Sequence, residues 1–295
     1  MNRNRVRGFR GANKRYEKVS ELDQPKEESL IVKQFRQYND ELMDKHDRYE
    51  RIVKKSRDIT IESKRLIFLL HSIDSRSSDF DKCLSDAFNR LMVLCDLHFL
   101  NIAKELDGHD KYQYVRAYSA GLQEFIEAYT YFSYLKKECI FDWDQLQKKF
   151  TYELKPEPKQ TENEDQIIVD GVQSDLDGSA HTRIECLVQP NDFMLGLADL
   201  SGEIMRKCVN SLGVGDVDAC YTACHFIQKL YSGYLCIGPF RNREMSRKVY
   251  TMHQSVLKVE KVCYNVKVRG KEAAKWISND AQDATPDEDA RFITF

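Results

Sequence analysis

Two pairs of acids have the spacing to do chemistry. Glu124 and Glu127 stand in Gly121-Leu122-Gln123-Glu124-Phe125-Ile126-Glu127. Asp199 and Glu203 stand in Gly196-Leu197-Ala198-Asp199-Leu200-Ser201-Gly202-Glu203. On a helix, residues three or four apart lie on one face a turn apart, so each pair can share a cation. Like charges at that spacing mildly destabilise an isolated helix. A glycine precedes the first acid of each pair by a turn, although glycine inside a helix costs roughly 1 kcal/mol relative to alanine. The missing side chain could admit a phosphate or another backbone. Ligands that are all oxygen select Mg²⁺ or Mn²⁺ over Zn²⁺. The Glu-x-x-His pairs of ferritin-like di-iron sites do not occur, which disfavours oxygen chemistry. Carboxylate-held Mg²⁺ suits cleavage of a phosphate ester, because it polarises a phosphoryl oxygen and activates water. The bland alternative is that acids on a polar helix face are simply solvated.

Other groups are weaker candidates. Cys220-x₃-Cys224-His225 has zinc-ligand character, but no second cysteine pair is spaced to complete a tetrahedral site, so a structural role is expected. Ser201 beside Gly202 resembles no nucleophile elbow. Arg51, Lys54, Lys55, Arg57, Lys64 and Arg65 in one stretch, and Arg241, Arg243, Arg247 and Lys248 in another, could track a phosphate backbone. An ordinary solvated helix surface reads the same way.

The elements that must position these groups are helical. Between Lys26 and Asp107 there is no glycine or proline, and those residues are the main punctuators of structure. Ile31, Phe35, Tyr38, Leu42, Tyr49, Ile52, Ile59, Leu66, Leu70 and Ile73 step by threes and fours, predicting a helix over 30–73 with a heptad-like seam. At about 1.5 Å per residue it spans roughly 65 Å, so either equally long neighbours or another subunit must cover it. Lys45, Ser56 and Ser63 interrupt its seam. A second helix is expected over 79–106, closed by Asp107-Gly108. A third is expected over 111–137 and a short one over 143–150. Asp192 is expected to cap a fourth long helix ending near Ser211. A further helix follows from Asp216 or Asp218 to Cys236. The last, 241–269, carries Met245, Val249, Met252, Val256, Val259, Cys263 and Val266. On the third helix Val115, Tyr118, Leu122, Phe125, Tyr129 and Phe132 predict the buried stripe, with Glu124 and Glu127 opposite. On the fourth, Phe193, Leu197, Leu200, Ile204 and Cys208 predict it, with Asp199 and Glu203 opposite. The fold class is therefore all-α: an elongated bundle of about six to seven helices, several long with heptad-like seams.

Flanking segments differ in composition. Residues 1–29 are basic at the start, with Arg3, Arg5, Arg7, Arg10, Lys14, Arg15 and Lys18 against Glu17, and read as a disordered tail. Residues 153–178 hold eight acids against two lysines and read as a disordered acidic loop inside one helical domain covering 30–272. Residues 180–190 read as extended, and 273–295 as an acidic tail. The net charge of −2 announces no global polyanion-binding field. The nine cysteines are odd in number and dispersed, which fits reduced thiols in a soluble intracellular protein. No run of 18 apolar residues predicts a membrane span.

Several segments together resemble the Trax branch of the translin family. They are His46-Asp47-Arg48-Tyr49-Glu50-Arg51 with Ser56-Arg57-Asp58-Ile59-Thr60, the two glycine-led acidic stretches, and Lys258-Val259-Glu260 through Val268-Arg269-Gly270, in order over residues 30–272. The resemblance implies the translin fold and assembly with translin into a hollow hetero-oligomeric barrel. It also implies a Mg²⁺-dependent endoribonuclease acting on single-stranded RNA, including passenger-strand fragments in small-RNA-guided silencing, in cytoplasm and nucleus. Single-stranded DNA is a further ligand class, and no membrane is involved. By motif, Glu124, Glu127, Asp199 and Glu203 match the family's catalytic acids, and Glu127 and Glu203 its metal ligands. A non-catalytic scaffold that stabilises translin and binds nucleic acid needs the seams and basic clusters but not the acids. An all-α nucleotide pyrophosphohydrolase also uses paired helical carboxylates, but leaves the C-terminal helix motif unexplained.

Overall fold

The structure is a computed structural model and describes residues 29–73, 78–140, 142–154, 182–238 and 242–269. Helix α1 (Leu30–Ser72) is followed by α2 (Phe80–Val93), a π-helical turn (Leu94–Phe99) and α3 (Leu100–Leu106), which run on as one rod. Then come α4 (Val115–Leu135), α5 (Trp143–Lys149), strands β1 (Thr151–Leu154) and β2 (Thr182–Glu185), and helices α6 (Pro190–Gly213), α7 (Val217–Cys236) and α8 (Arg243–Arg269). Among the described residues this is an all-α bundle of seven helical rods, as the periodicities require. No described helix is long and apolar enough to cross a membrane.

The residues up to Asp47 form one unit and those from Arg48 onward a second. In the first, Leu30, Ile31, Phe35, Tyr38 and Leu42 are all more than half exposed. In the second, Ile52, Ile59, Leu66, Leu70 and Ile73 are buried. Ser56 and Ser63 are buried in the same seam, and at Ser56 a crossing helix leaves no room for a larger side chain. That helix is α4. A Cβ on Gly121 would lie 2.7 Å from both the carbonyl oxygen and Oγ of Ser56. The backbone N–H of Gly121 donates to Ser56 Oγ at 3.3 Å.

The second glycine does the same for α6. A Cβ on Gly196 would lie 2.7 Å from the Gln123 carbonyl oxygen and 2.8 Å from Ile126 Cβ. Both glycines therefore admit another backbone rather than a phosphate. They lock α4 between α1 and α6, and α6 packs in turn on α7 and α8. A second, smaller core of Leu195, Ala198, Tyr234, Met245 and Met252 ties α6, α7 and α8 together.

Three expectations are corrected. Glu153 and Leu154, assigned to the acidic loop, belong to β1, which pairs antiparallel with β2 in the register Thr151 to Glu185. Helix α6 begins at Pro190, whose fixed φ suits a first helical position, and Asp192 is inside the first turn and buried instead of capping it. Asp192 accepts from Ser119 Oγ (2.7 Å) and Gln123 Nε2 (3.0 Å) on α4, so it pins one helix to another. The π turn is a feature that the apolar spacing of 79–106 does not disclose. Tyr152 of β1 donates to the Cys95 carbonyl at 2.7 Å, which ties β1 to the π turn. The basic tail, the acidic loop from 155 to 181 and the C-terminal tail lie outside the described residues.

Candidate metal centre

The close α4–α6 approach brings the two acidic pairs to one place. Glu127 is the centre. Burial, then the charges of Asp199, Glu203 and Glu124, push its carboxyl up to about 8, with the Lys248 ammonium opposing them. Among the described residues no side chain hydrogen-bonds the Glu127 carboxylate. It is a half-buried acid surrounded by three like charges.

The other three acids have partners. Glu124 meets Lys64 of α1 at 3.0 Å, and that contact raises the Lys64 pKa. Asp199 accepts from Lys248 Nζ of α8 at 2.5 Å. The same ammonium reaches Gln123 Oε1 (3.0 Å) and the Leu195 carbonyl (3.3 Å). Burial raises the Asp199 pKa; the Lys248 bond and charge oppose it, and Glu244 and Glu203 add to it. Glu203 is held by His71 Nε2, from the last turn of α1, with Arg206 3.7 Å away. His71 Nδ1 lies 3.0 Å from the Tyr131 hydroxyl.

Glu124, Glu127 and Glu203 therefore do not sit on a solvated face, whereas the Asp199 side chain is 36% exposed. Glu203 is 14% exposed and Glu124 25%. The buried stripes foreseen for α4 and α6 exist, but both helices are covered on a second side as well. On α4, Ile126, Ala128, Thr130 and Tyr131 are buried alongside Leu122, Phe125 and Phe132. The donor set is all oxygen, and the unneutralised Glu127 fits a hard cation. Even so, no three His, Cys, Asp or Glu side chains among the described residues are arranged to hold a metal ion.

The structure adds residues that spacing did not single out for this site. Lys248 stood in a basic cluster and Lys64 in another, yet both point at the acids. His71 and Tyr131 carried no signal at all, being far from Glu203 in sequence and each isolated. Most of the first basic cluster is internally paired: Arg51 and Lys55 with Glu105, Lys54 with Glu50, and Arg65 with Glu62. Arg241 lies outside the described residues. Cys208, Cys220 and Cys263 are buried, each bonding a backbone carbonyl, which fits the structural role expected of Cys220.

The translin family model matches residues 47–270, a span that includes all four acids and both glycines. The chain belongs to the translin family. Translin-associated protein X of Mus musculus is 38% identical over 247 residues, covering 84% of this chain and 82% of its own. Among solved structures, apo-NeC3PO superposes with a TM-score of 0.52 at 18% identity, over 82% of this chain and 96% of its own. AfC3PO in complex with duplex RNA gives 0.51 at 17% identity, over 82% of this chain and 98% of its own. These structures share the translin fold with the bundle described above.

Proposed function

We propose that this chain is the catalytic subunit of a complex with translin, a Mg²⁺-dependent endoribonuclease that cleaves single-stranded RNA. Passenger-strand fragments in small-RNA-guided silencing are the substrates the family resemblance suggests, in cytoplasm and nucleus. The observation that carries the reading is Glu127. A carboxylate pushed up to about 8 by burial and three neighbouring acids is a site that a divalent cation would relieve. Glu127 and Glu203 would hold Mg²⁺, with Mn²⁺ able to replace it, and Asp199 would complete or orient their shell. So held, the ion would polarise a phosphoryl oxygen and lower the pKa of a bound water. Glu124, restrained by Lys64, would position or deprotonate the attacking water. Lys248, held on Asp199, would be placed to offer its ammonium to a phosphate.

Two further observations support assembly and RNA as ligand. The apolar residues of α1 before Asp47 are exposed, which suits burial by another subunit. AfC3PO, which shares the fold, has been solved with duplex RNA. The test uses the chain co-purified with translin and labelled single-stranded RNA, with duplex RNA and single-stranded DNA as comparisons. Cleavage should require Mg²⁺ and disappear in a Glu127→Ala, Glu203→Ala form that still assembles. Equal cleavage by both forms overturns the site. The partnering of Glu124, Asp199 and Glu203 by Lys64, His71 and Lys248 favours one rival, a scaffold subunit that stabilises translin without cutting. RNA binding without cleavage by either form would support that rival.

A further inference from the structure

We infer that His71, braced by Tyr131, is a positioning residue that orients Glu203 for the cation. This rests on the metal-centre reading above. His71 closes α1 and is 8% exposed in its side chain, and its Nε2 bonds Glu203 Oε2. Its other ring nitrogen, Nδ1, meets the hydroxyl of Tyr131, which is fully buried on α4, at 3.0 Å. The two rings also lie tilted against each other, with centroids 4.7 Å apart and planes 32° apart.

The direction of the chain of hydrogen bonds follows from chemistry. Burial and the nearby Glu203 charge raise the Tyr131 pKa, so the phenol keeps its proton. Among the described residues His71 Nδ1 is the only acceptor that this O–H meets. With a neutral His71 ring, the phenol donates to Nδ1, which leaves the ring proton on Nε2. Nε2–H then donates to Glu203 Oε2. Oε1 of Glu203 takes no bond among the described residues and is the oxygen left for a cation. Three elements thus converge on one carboxylate: α6 carries it, α1 supplies the donor and α4 fixes the donor's tautomer. Arg206 is more than half exposed and 3.7 Å away, too loose to do the same work.

A donor of this kind outside the ligand shell typically changes metal affinity by about 10–100-fold. The test measures Mn²⁺ binding by electron paramagnetic resonance, Mn²⁺ standing in for Mg²⁺, on the full chain co-purified with translin. His71→Ala should weaken Mn²⁺ binding at least about tenfold. His71→Gln, whose amide N–H can still donate, should recover most of it, and Tyr131→Phe should fall between. RNA affinity in chelator, and the unfolding midpoint of His71→Gln in chelator, should not move. Wild-type Mn²⁺ affinity in His71→Ala, with affinity lost in Glu203→Ala, overturns the inference and leaves the metal centre standing. Wild-type affinity in Glu203→Ala overturns both. Should His71→Ala fail to assemble, Tyr131→Phe decides: a severalfold loss supports the role, and an unchanged affinity overturns it.

Discussion

Replacing Glu127 with glutamine should reverse the usual effect of mutating a buried acid, and the reversal should depend on pH. The carboxyl titrates near 8 in the fold against an ordinary value of 4.5. Between those values the folded chain binds a proton that the unfolded chain has released. The contribution of Glu127 to stability is therefore fully present below pH 4.5 and is lost progressively as pH rises through 8. One pKa unit is about 1.36 kcal/mol, so the loss between pH 5 and pH 9 is on the order of 4 kcal/mol. Solvent reaching part of the carboxyl lowers this to roughly 2–4 kcal/mol. Glutamine keeps the shape and has no such titration. Relative to wild type, Glu127→Gln should gain that amount between pH 5 and pH 9 in the presence of chelator. For a chain of this size it corresponds to about 3–7 °C in Tm. Thermal unfolding of both forms, as purified, at several pH values checks it. Curves that run parallel from pH 5 to pH 9 would refute the crowding of charge on which the metal site is argued. A second arm adds Mg²⁺ at pH 8. Wild type should be stabilised by about 2.7 kcal/mol at a hundredfold excess over Kd, and Glu127→Gln by far less.

Three other perturbations test the frame around the site. Gly121→Ala should cost about 1–3 kcal/mol, because its Cβ meets the Ser56 carbonyl at 2.7 Å, whereas Gly202→Ala, with nothing within 4 Å, should be neutral or slightly stabilising; urea midpoints compare them. Lys248→Met removes the partner of Asp199, Gln123 and the Leu195 carbonyl together, and should destabilise the chelated protein by about 1–3 kcal/mol at neutral pH, the loss being recovered in part by Mg²⁺. Tyr152→Phe strips the hydroxyl from the Cys95 carbonyl and should cost about 1 kcal/mol, seen as faster amide exchange around the π turn.

The helices were legible because their signals are local. The 4-3-4-3 spacing from Met245 to Val266 is a property of about six adjacent turns, and all but the half-buried Val249 end buried. The acids were legible as pairs for the same reason. Their environment was not, because periodicity assigns a helix one buried face. On α4 the cover beyond the stripe combines the small residues Ala117, Gly121 and Ala128 with Ile126, Thr130 and Tyr131, all of them buried. Small residues carry little hydrophobic signal, and their burial depends on which helix comes close. That decision is taken at Ser56 and Gln123, far along the chain from the glycines that meet them.

Asp192 shows how the same ambiguity reaches single residues. An acid ahead of an apolar run is a good capping signal, and here it reads three positions later than the true N-cap, Gln189. Pro190 already supplies the first helical φ, so the carboxylate is free to bond Ser119 and Gln123 across the interface. Gln123 in turn accepts from Lys248, which binds Asp199. A residue that looks like local punctuation is thus the far end of a polar chain leading into the acidic centre. On this geometry Asp192→Ala should leave the start of α6 intact and loosen Gln123 and Lys248 instead. A change confined to fraying of the first turn of α6 in amide exchange would mean that the capping role is the real one.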